Sequence, residues 1–217
     1  MKKEQLEQNK GTIYHELGHL IGYLLSANKN ESNLGEILEF NIGLKNNSVT
    51  PKENYYHLIH PVNDRERVRK NTKNIIKKIS WIIEVILGCL TQSIYENAKF
   101  EDCFGIEPKK LGYHDFSNLS MVNNLSHFRF NKLFIENLKI ALQGFIIDNN
   151  LIEKLDSIVN EIISDLIKTD DFQKTYKNEE LLKLLEKISE IFDEELLLSY
   201  NNIIKNHSEI IKTIERN

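Results

Sequence analysis

The chain has 217 residues, of which 41% are hydrophobic and 28% charged, and its formal net charge is −4 at pH 7. This length supports a hydrophobic core without disulfide staples, and the slightly acidic balance offers no general attraction for nucleic acid. The two cysteines, Cys89 and Cys103, form no Cys-x-x-Cys pair, which argues against a disulfide framework or a cysteine-rich zinc knuckle.

The sequence favours a cytoplasmic location. The first ten residues are polar and charged, unlike a signal peptide. The longest apolar segment, residues 79–90, is shorter than the roughly 20 residues that a membrane-spanning helix needs. We therefore expect a cytoplasmic protein without a membrane span.

The predicted elements begin with a helix over residues 11–26, where apolar residues recur at helical spacing. Residues 35–44 alternate loosely between apolar and polar side chains and predict a strand. A second short strand near residues 55–59 is expected to complete a hairpin with it. These two segments carry the only β pattern that we find in the sequence.

From residue 64 onward the sequence predicts helices almost throughout. Apolar pairs repeat every three or four residues there, which is typical of core stripes in a helical bundle. An irregular connection is expected over residues 95–114. The predicted helices cover residues 68–93, 116–124, 130–148, 151–168, 178–198 and 200–215. The expected fold is therefore mainly α, with a small β-hairpin or sheet after the first helix.

The first predicted helix contains the sequence His-Glu-Leu-Gly-His, residues 15–19. His15 and His19 are four positions apart, so on a helix both imidazoles project from one face and can bind one Zn²⁺. Glu16 lies roughly 100° further round the helix, where its carboxylate can take a proton from a metal-activated water without binding the metal. Gly18 leaves room beside the metal for a substrate or a neighbouring strand.

This motif indicates a zinc metallopeptidase with Glu16 as the general base. The alternative is a pair of histidines at the edge of the core, hydrogen-bonded to nearby carboxylates. Two histidines leave a tetrahedral site one protein ligand short, and residue 25 is leucine where a longer motif would supply a third histidine. The third ligand must come from elsewhere, and the residues alone leave it open among carboxylates and the remaining histidines, His57, His60, His114, His127 and His207.

The segment Tyr14 to Leu20 resembles the Tyr/Ala-His-Glu-Ala-Gly-His-Ala motif of the FtsH-type zinc peptidase domain. That family also has a strand after its zinc helix, and residues 85–90 (Val-Ile-Leu-Gly-Cys-Leu) resemble its Leu-Leu-Gly-Gly-Arg helix. Residues 112–119 (Gly-Tyr-His-Asp-Phe-Ser-Asn-Leu) resemble its Gly-Ala-x-Asn-Asp-Leu-x-x-Ala stretch. Because the aspartate at this helix start is the family's third zinc ligand, the resemblance assigns that role to Asp115, with His114 and Glu96 as competitors.

The resemblance covers residues 11–170 and is incomplete. Cys89 stands where the family has its second glycine, and Gln92 and Ser93 stand where it has an acidic pair. The chain contains no Gly-x-x-x-x-Gly-Lys-Ser/Thr sequence, so no ATPase is fused within it. We expect a zinc peptidase-like domain over residues 1–177. Residues 178–217, whose helices have no counterpart in the family, are expected to form a C-terminal helical extension packed on it.

The expected partner is a peptide or protein substrate rather than nucleic acid, and a separate ATPase or self-association is left open. One alternative is a regulatory protease of the ImmA/IrrE type, which cuts transcriptional repressors. That class has a downstream Glu-x-x-Ala-Asn-x-Phe-Ala helix, which the sequence lacks. Another is a catalytically silent peptidase fold kept as a binding module, against which the intact Glu16 argues.

Overall fold

A computed structural model of the protein describes residues 10–43, 57–59, 74–107, 110, 112–117, 119, 132–169 and 173–214. Within them the fold is mainly helical with one small antiparallel sheet, as the sequence predicts. The helices are α1 (Lys10–Ser26), α2 (Ile75–Tyr95), α3 (Phe100–Cys103), α4 (Lys132–Asp148), α5 (Leu151–Lys168), α6 (Asn178–Ser189) and α7 (Glu194–Ile214). The strands are β1 (Glu39–Gly43), β2 (His57–Ile59) and β3 (Gln173–Lys177).

Helices α1 and α2 form the centre of the core. Nearly every residue of α1 is buried, which is the pattern of a helix surrounded by other elements. Glycines set the spacing of this pair. A Cβ added at Gly18 would lie 2.5 Å from the backbone oxygen of Leu87, and one at Gly22 would lie 2.6 Å from the Cα of Glu84. Gly18 therefore makes room for α2, and not for a substrate or strand as the sequence suggested.

We expect Gly22→Ala to destabilise the protein. The new methyl group would press on the backbone of α2, which cannot move aside as a flexible side chain can. Overpacking of this kind costs about 1–3 kcal/mol. Gly144→Ala in α4 is the matched control, because the nearest atom to its new Cβ is 3.8 Å away. Alanine should stabilise that helix by about 0.5–1 kcal/mol. In urea, the unfolding midpoint of Gly22→Ala should lie below that of the wild type, and the midpoint of Gly144→Ala should lie above it. Equal midpoints for the two variants would contradict the close packing of α1 on α2.

The sheet has the strand order β2-β1-β3, with both pairings antiparallel. Phe40 of β1 is opposite Leu58 in β2, so the predicted hairpin is confirmed. On its other side Phe40 is opposite Tyr176 in β3, a strand that the sequence did not predict. Its residues are mostly polar and only Tyr176 is buried, so its own pattern does not mark it as a strand.

Several helix boundaries differ from the predictions. Helix α2 begins at Ile75 and not at residue 68. Asn74 is extended and caps the helix, because its side chain accepts a hydrogen bond from the backbone amide of Lys77. The predicted helix over 178–198 is two helices, and the Asp193 carboxylate accepts the Leu196 amide at 2.8 Å where α7 starts. The connection over 95–114 contains the short α3. The helix predicted to begin at residue 116 begins earlier in the structure, where residues 113–117 are helical.

The C-terminal helices pack on the rest of the fold. Helix α7 contacts both α2 and α4, and α6 follows β3 directly. The predicted boundary after residue 177 thus falls between β3 and α6, and the division into two units stays a prediction. No helix in the described part of the chain combines the length and hydropathy needed to cross a membrane.

Candidate metal centre

Three side chains converge between α1 and the helical residues 113–117. The Nε2 atoms of His15 and His19 are 3.1 Å apart. The Oδ2 atom of Asp115 lies 3.2 Å from Nε2 of His15 and 3.4 Å from Nε2 of His19. The histidines come from successive turns of one helix, whereas Asp115 is 100 positions from His15 in the sequence. Both histidines are buried, and the Asp115 side chain is 13% exposed.

Protons satisfy this triangle poorly. Burial lowers the pKa of both histidines, but Asp115, together with Cys103 at His15 and with Glu84 at His19, outweighs burial and raises each pKa above its usual value. In return, burial raises the pKa of Asp115, and the two imidazoles outweigh that effect and lower it. The two Nε2 atoms are too close for both to carry a hydrogen directed at the other. The triangle therefore brings an ionised carboxylate against two imidazoles whose Nε2 atoms face each other.

The triangle fits a zinc ion. Nitrogen and oxygen ligands at about 2.0–2.1 Å in a tetrahedron are about 3.3 Å from one another. The three observed separations, 3.1, 3.2 and 3.4 Å, match that value closely. Two histidines and one carboxylate, with a fourth position left open, are also a donor set used by catalytic zinc sites.

The other nitrogen of each histidine also has a partner. Nδ1 of His19 lies 2.9 Å from the backbone oxygen of Glu84 and 3.3 Å from its carboxylate. Nδ1 of His15 lies 3.6 Å from the sulfur of Cys103. Acceptors at these positions keep the hydrogen on Nδ1 and leave the Nε2 lone pair free for a metal.

Neither of these partners is predicted by the sequence. Glu84 carried a signal, because an acid in the middle of the apolar segment 79–90 needs a partner once it is buried, and it is 1% exposed. Cys103 carried no comparable signal. Its contact with His15 depends on how α3 packs against α2.

Gly88 of α2 faces His19 directly. A Cβ at this position would lie 2.4 Å from Nε2 of His19, so α2 can pass the histidine only with glycine there. Thr91, one turn further along, donates a hydrogen bond of 2.8 Å to the backbone oxygen of Tyr14. These contacts fix α2 against the turn of α1 that carries the two histidines.

Glu16 is buried on α1, next to His15 in the sequence, and 7% exposed. Burial and Cys103 raise the pKa of the Cys89 thiol, and the carboxylates of Asp115 and Glu16 add to the effect. Glu16 lies on the same helix as the two histidines, and its carboxylate is not among the three converging ligand atoms.

Of the ligand candidates named from the sequence, Asp115 is the one that joins His15 and His19 in the described part of the chain. His114 is exposed, and Glu96 accepts a hydrogen bond of 3.1 Å from Gln92. His207 is buried in α7, where its Nδ1 lies 2.8 Å from a backbone oxygen of its own helix. Three further candidates have side chains outside the described residues: His57, His60 and His127.

Comparisons of the chain with protein-family models, with curated proteins and with solved structures found no match.

Proposed function

We propose that this protein is a zinc-dependent metallopeptidase that hydrolyses peptide bonds. His15, His19 and Asp115 would hold the metal, and Glu16 would act as general base. The observation that carries the proposal is the triangle of ligand atoms, whose edges of 3.1, 3.2 and 3.4 Å fit a tetrahedral zinc site. The spacing of His15, Glu16 and His19 supplies both the metal ligands and the base from one helix.

The division of roles follows from the charges. A zinc ion bound there would act as a Lewis acid and would lower the pKa of a bound water to about 7. Glu16 would accept the proton from that water and deliver it to the leaving amine. Asp115 would keep a fixed negative charge in the buried site. Glu84 and Cys103 would hold the two imidazoles with their Nε2 lone pairs toward the metal.

We infer an FtsH-type peptidase domain as the best description of the family. The position of Asp115 supports this, because the family places its third ligand at the start of the corresponding helix. The substrate would be a peptide or an unfolded protein, with a separate ATPase or self-association left open. Two free, buried thiols suit a reducing compartment such as the cytoplasm.

Metal analysis together with a peptidase assay tests the proposal. The purified protein should bind about one zinc per chain, as expected for a single catalytic site. It should cleave fluorescently labelled casein, lose that activity in 1,10-phenanthroline and regain it when zinc is restored. A protein that stays metal-free at a slight molar excess of zinc would overturn the proposal.

We expect this chain to cleave its substrates without nucleotide. It contains no phosphate-binding Gly-x-x-x-x-Gly-Lys-Ser/Thr loop, so nothing in it can couple ATP hydrolysis to unfolding. One target protein, presented in native and in reduced, alkylated form, provides the test. The alkylated form should be degraded and the native form spared, with or without ATP. ATP-stimulated degradation of the native form by this chain alone would contradict the prediction.

A further inference from the structure

The only two cysteines of the sequence meet beside the metal centre. Cys89 lies on α2 and Cys103 at the end of α3, and both are free thiols. Their sulfur atoms and a ring nitrogen of His15 all lie within 4.8 Å of one another. Gly112 packs over the pair: a Cβ there would be 2.2 Å from the sulfur of Cys89 and 3.5 Å from that of Cys103.

Cys103 also contacts His15 directly. Its sulfur lies 3.0 Å from the side-chain oxygen of Gln92 and 3.6 Å from Nδ1 of His15. A thiol has one hydrogen, and donating it to Gln92 leaves the sulfur lone pairs to accept the Nδ1 hydrogen of His15. A sulfur thus occupies the position where a carboxylate or a carbonyl usually supports a metal-binding histidine. His19 has the more usual partner, Glu84.

We propose that Cys89 and Cys103 form a peroxide-reactive dithiol, and that its oxidation to a disulfide weakens zinc binding at His15. The effect on zinc rests on the proposed function, whereas the oxidation itself does not. Cys103 is the sulfur that reacts with peroxide first, because it is 6% exposed whereas Cys89 is 0% exposed.

The reaction needs hydrogen peroxide and no other reagent. In the first step the peroxide O–O bond breaks, an S–O bond forms on Cys103, and one water leaves. Cys89 then attacks that sulfur, the S–O bond breaks, the S–S bond forms, and a second water leaves. In total two thiols lose two hydrogens and two electrons, and one peroxide is reduced to two waters.

Oxidation would remove the support of His15. The S–S bond would draw the sulfur of Cys103 toward Cys89 and away from Nδ1 of His15, which it contacts at 3.6 Å as a thiol. The Nδ1 hydrogen of His15 would be left buried without its partner. Loss of such an outer partner typically costs about 10–100-fold in metal affinity. We expect a fall of that size on oxidation, with recovery after treatment with dithiothreitol.

The test begins with metal-free, full-length protein treated with one equivalent of hydrogen peroxide. Thiol titration in denaturant should fall from two thiols to none, and the intact mass should drop by two hydrogens. Zinc affinity is then measured by competition with a chromophoric chelator before oxidation, after it, and after reduction. Circular dichroism confirms that the helices persist in each state.

Three variants separate the roles of the two sulfurs. Cys89→Ala should form no disulfide. Cys103→Ala should show the weakened zinc binding without any oxidant. Cys103→Ser keeps an oxygen acceptor for His15, so it should bind zinc more tightly than Cys103→Ala and should not respond to peroxide.

The proposed disulfide would be wrong if both thiols survive the peroxide. It would also be wrong if Cys103 becomes a sulfinic acid while Cys89 stays free. A disulfide that leaves zinc affinity unchanged would overturn its link to His15. If the reduced protein binds no zinc, the proposed function fails, while the thiol count on metal-free protein still decides whether the dithiol reacts.

Discussion

Asp115→Ala is expected to remove nearly all zinc affinity. In the proposed site this carboxylate would supply one of three protein donors and a negative charge, and no other described side chain joins both histidines in such a group. Loss of an outer partner typically costs about 10–100-fold in affinity, and loss of a direct ligand should cost more than that. Without Asp115, the two imidazoles would be the only protein ligands and would leave two of the four positions of a tetrahedral site open. Two protein ligands are too few for tight zinc binding.

Glu96→Ala is the matched control for this experiment. Glu96 was a competing ligand candidate in the sequence, but its carboxylate is exposed and accepts a hydrogen bond from Gln92. Competition with a chromophoric chelator should therefore give wild-type affinity for Glu96→Ala and a large loss for Asp115→Ala. The reverse outcome would remove Asp115 from the site and would weaken the FtsH-type assignment with it.

The sequence predicted best the features that depend on neighbours along the chain. Helix α5 spans Leu151–Lys168, as predicted, because its apolar stripe begins and ends within one segment. The placement of His15 and His19 on one face of α1 follows from their four-residue spacing. These features need no knowledge of distant residues.

Features that depend on distant residues were harder to predict. Strand β3 exists because it pairs with β1, which lies far earlier in the chain, and four of its five residues are polar or charged. Asp115 is a similar case. The residues alone left the third ligand open, because a contact across 100 positions has no periodic pattern, and only the family resemblance singled it out.

The close packing of α1 on α2 explains the remaining differences. From the sequence we expected Gly18 to leave room beside a metal, but only the fold shows that the backbone of α2 occupies the space that it leaves. In the same way, Cys89 lies in the apolar segment 79–90 and is buried, but its nearness to Cys103 depends on how α3 lies against α2. Residue type predicted burial here, whereas the neighbour at each position was set by the fold.

Glu16→Gln is expected to abolish most peptidase activity while leaving zinc bound. Glutamine has nearly the same shape as glutamate but cannot accept the proton of the attacking water. General-base catalysis contributes about 10²–10⁴-fold, so the cleavage rate should fall by that factor. The metal should remain, since Glu16 is not among the three converging ligand atoms. Zinc content and cleavage of casein, measured on the same preparation, check both statements.

Glu96→Gln makes the same chemical change at an exposed position of α2's C-terminal end and should cleave at the wild-type rate. If Glu16→Gln loses zinc as well as activity, Glu16 holds the site together and its role as a base is not supported. If the variant cleaves as fast as the wild type, another group accepts the proton. A wild-type protein that binds zinc but cleaves no unfolded substrate would favour a binding module, and then an intact Glu16 would need a different explanation. Only retained zinc with lost cleavage assigns the proton transfer to this carboxylate.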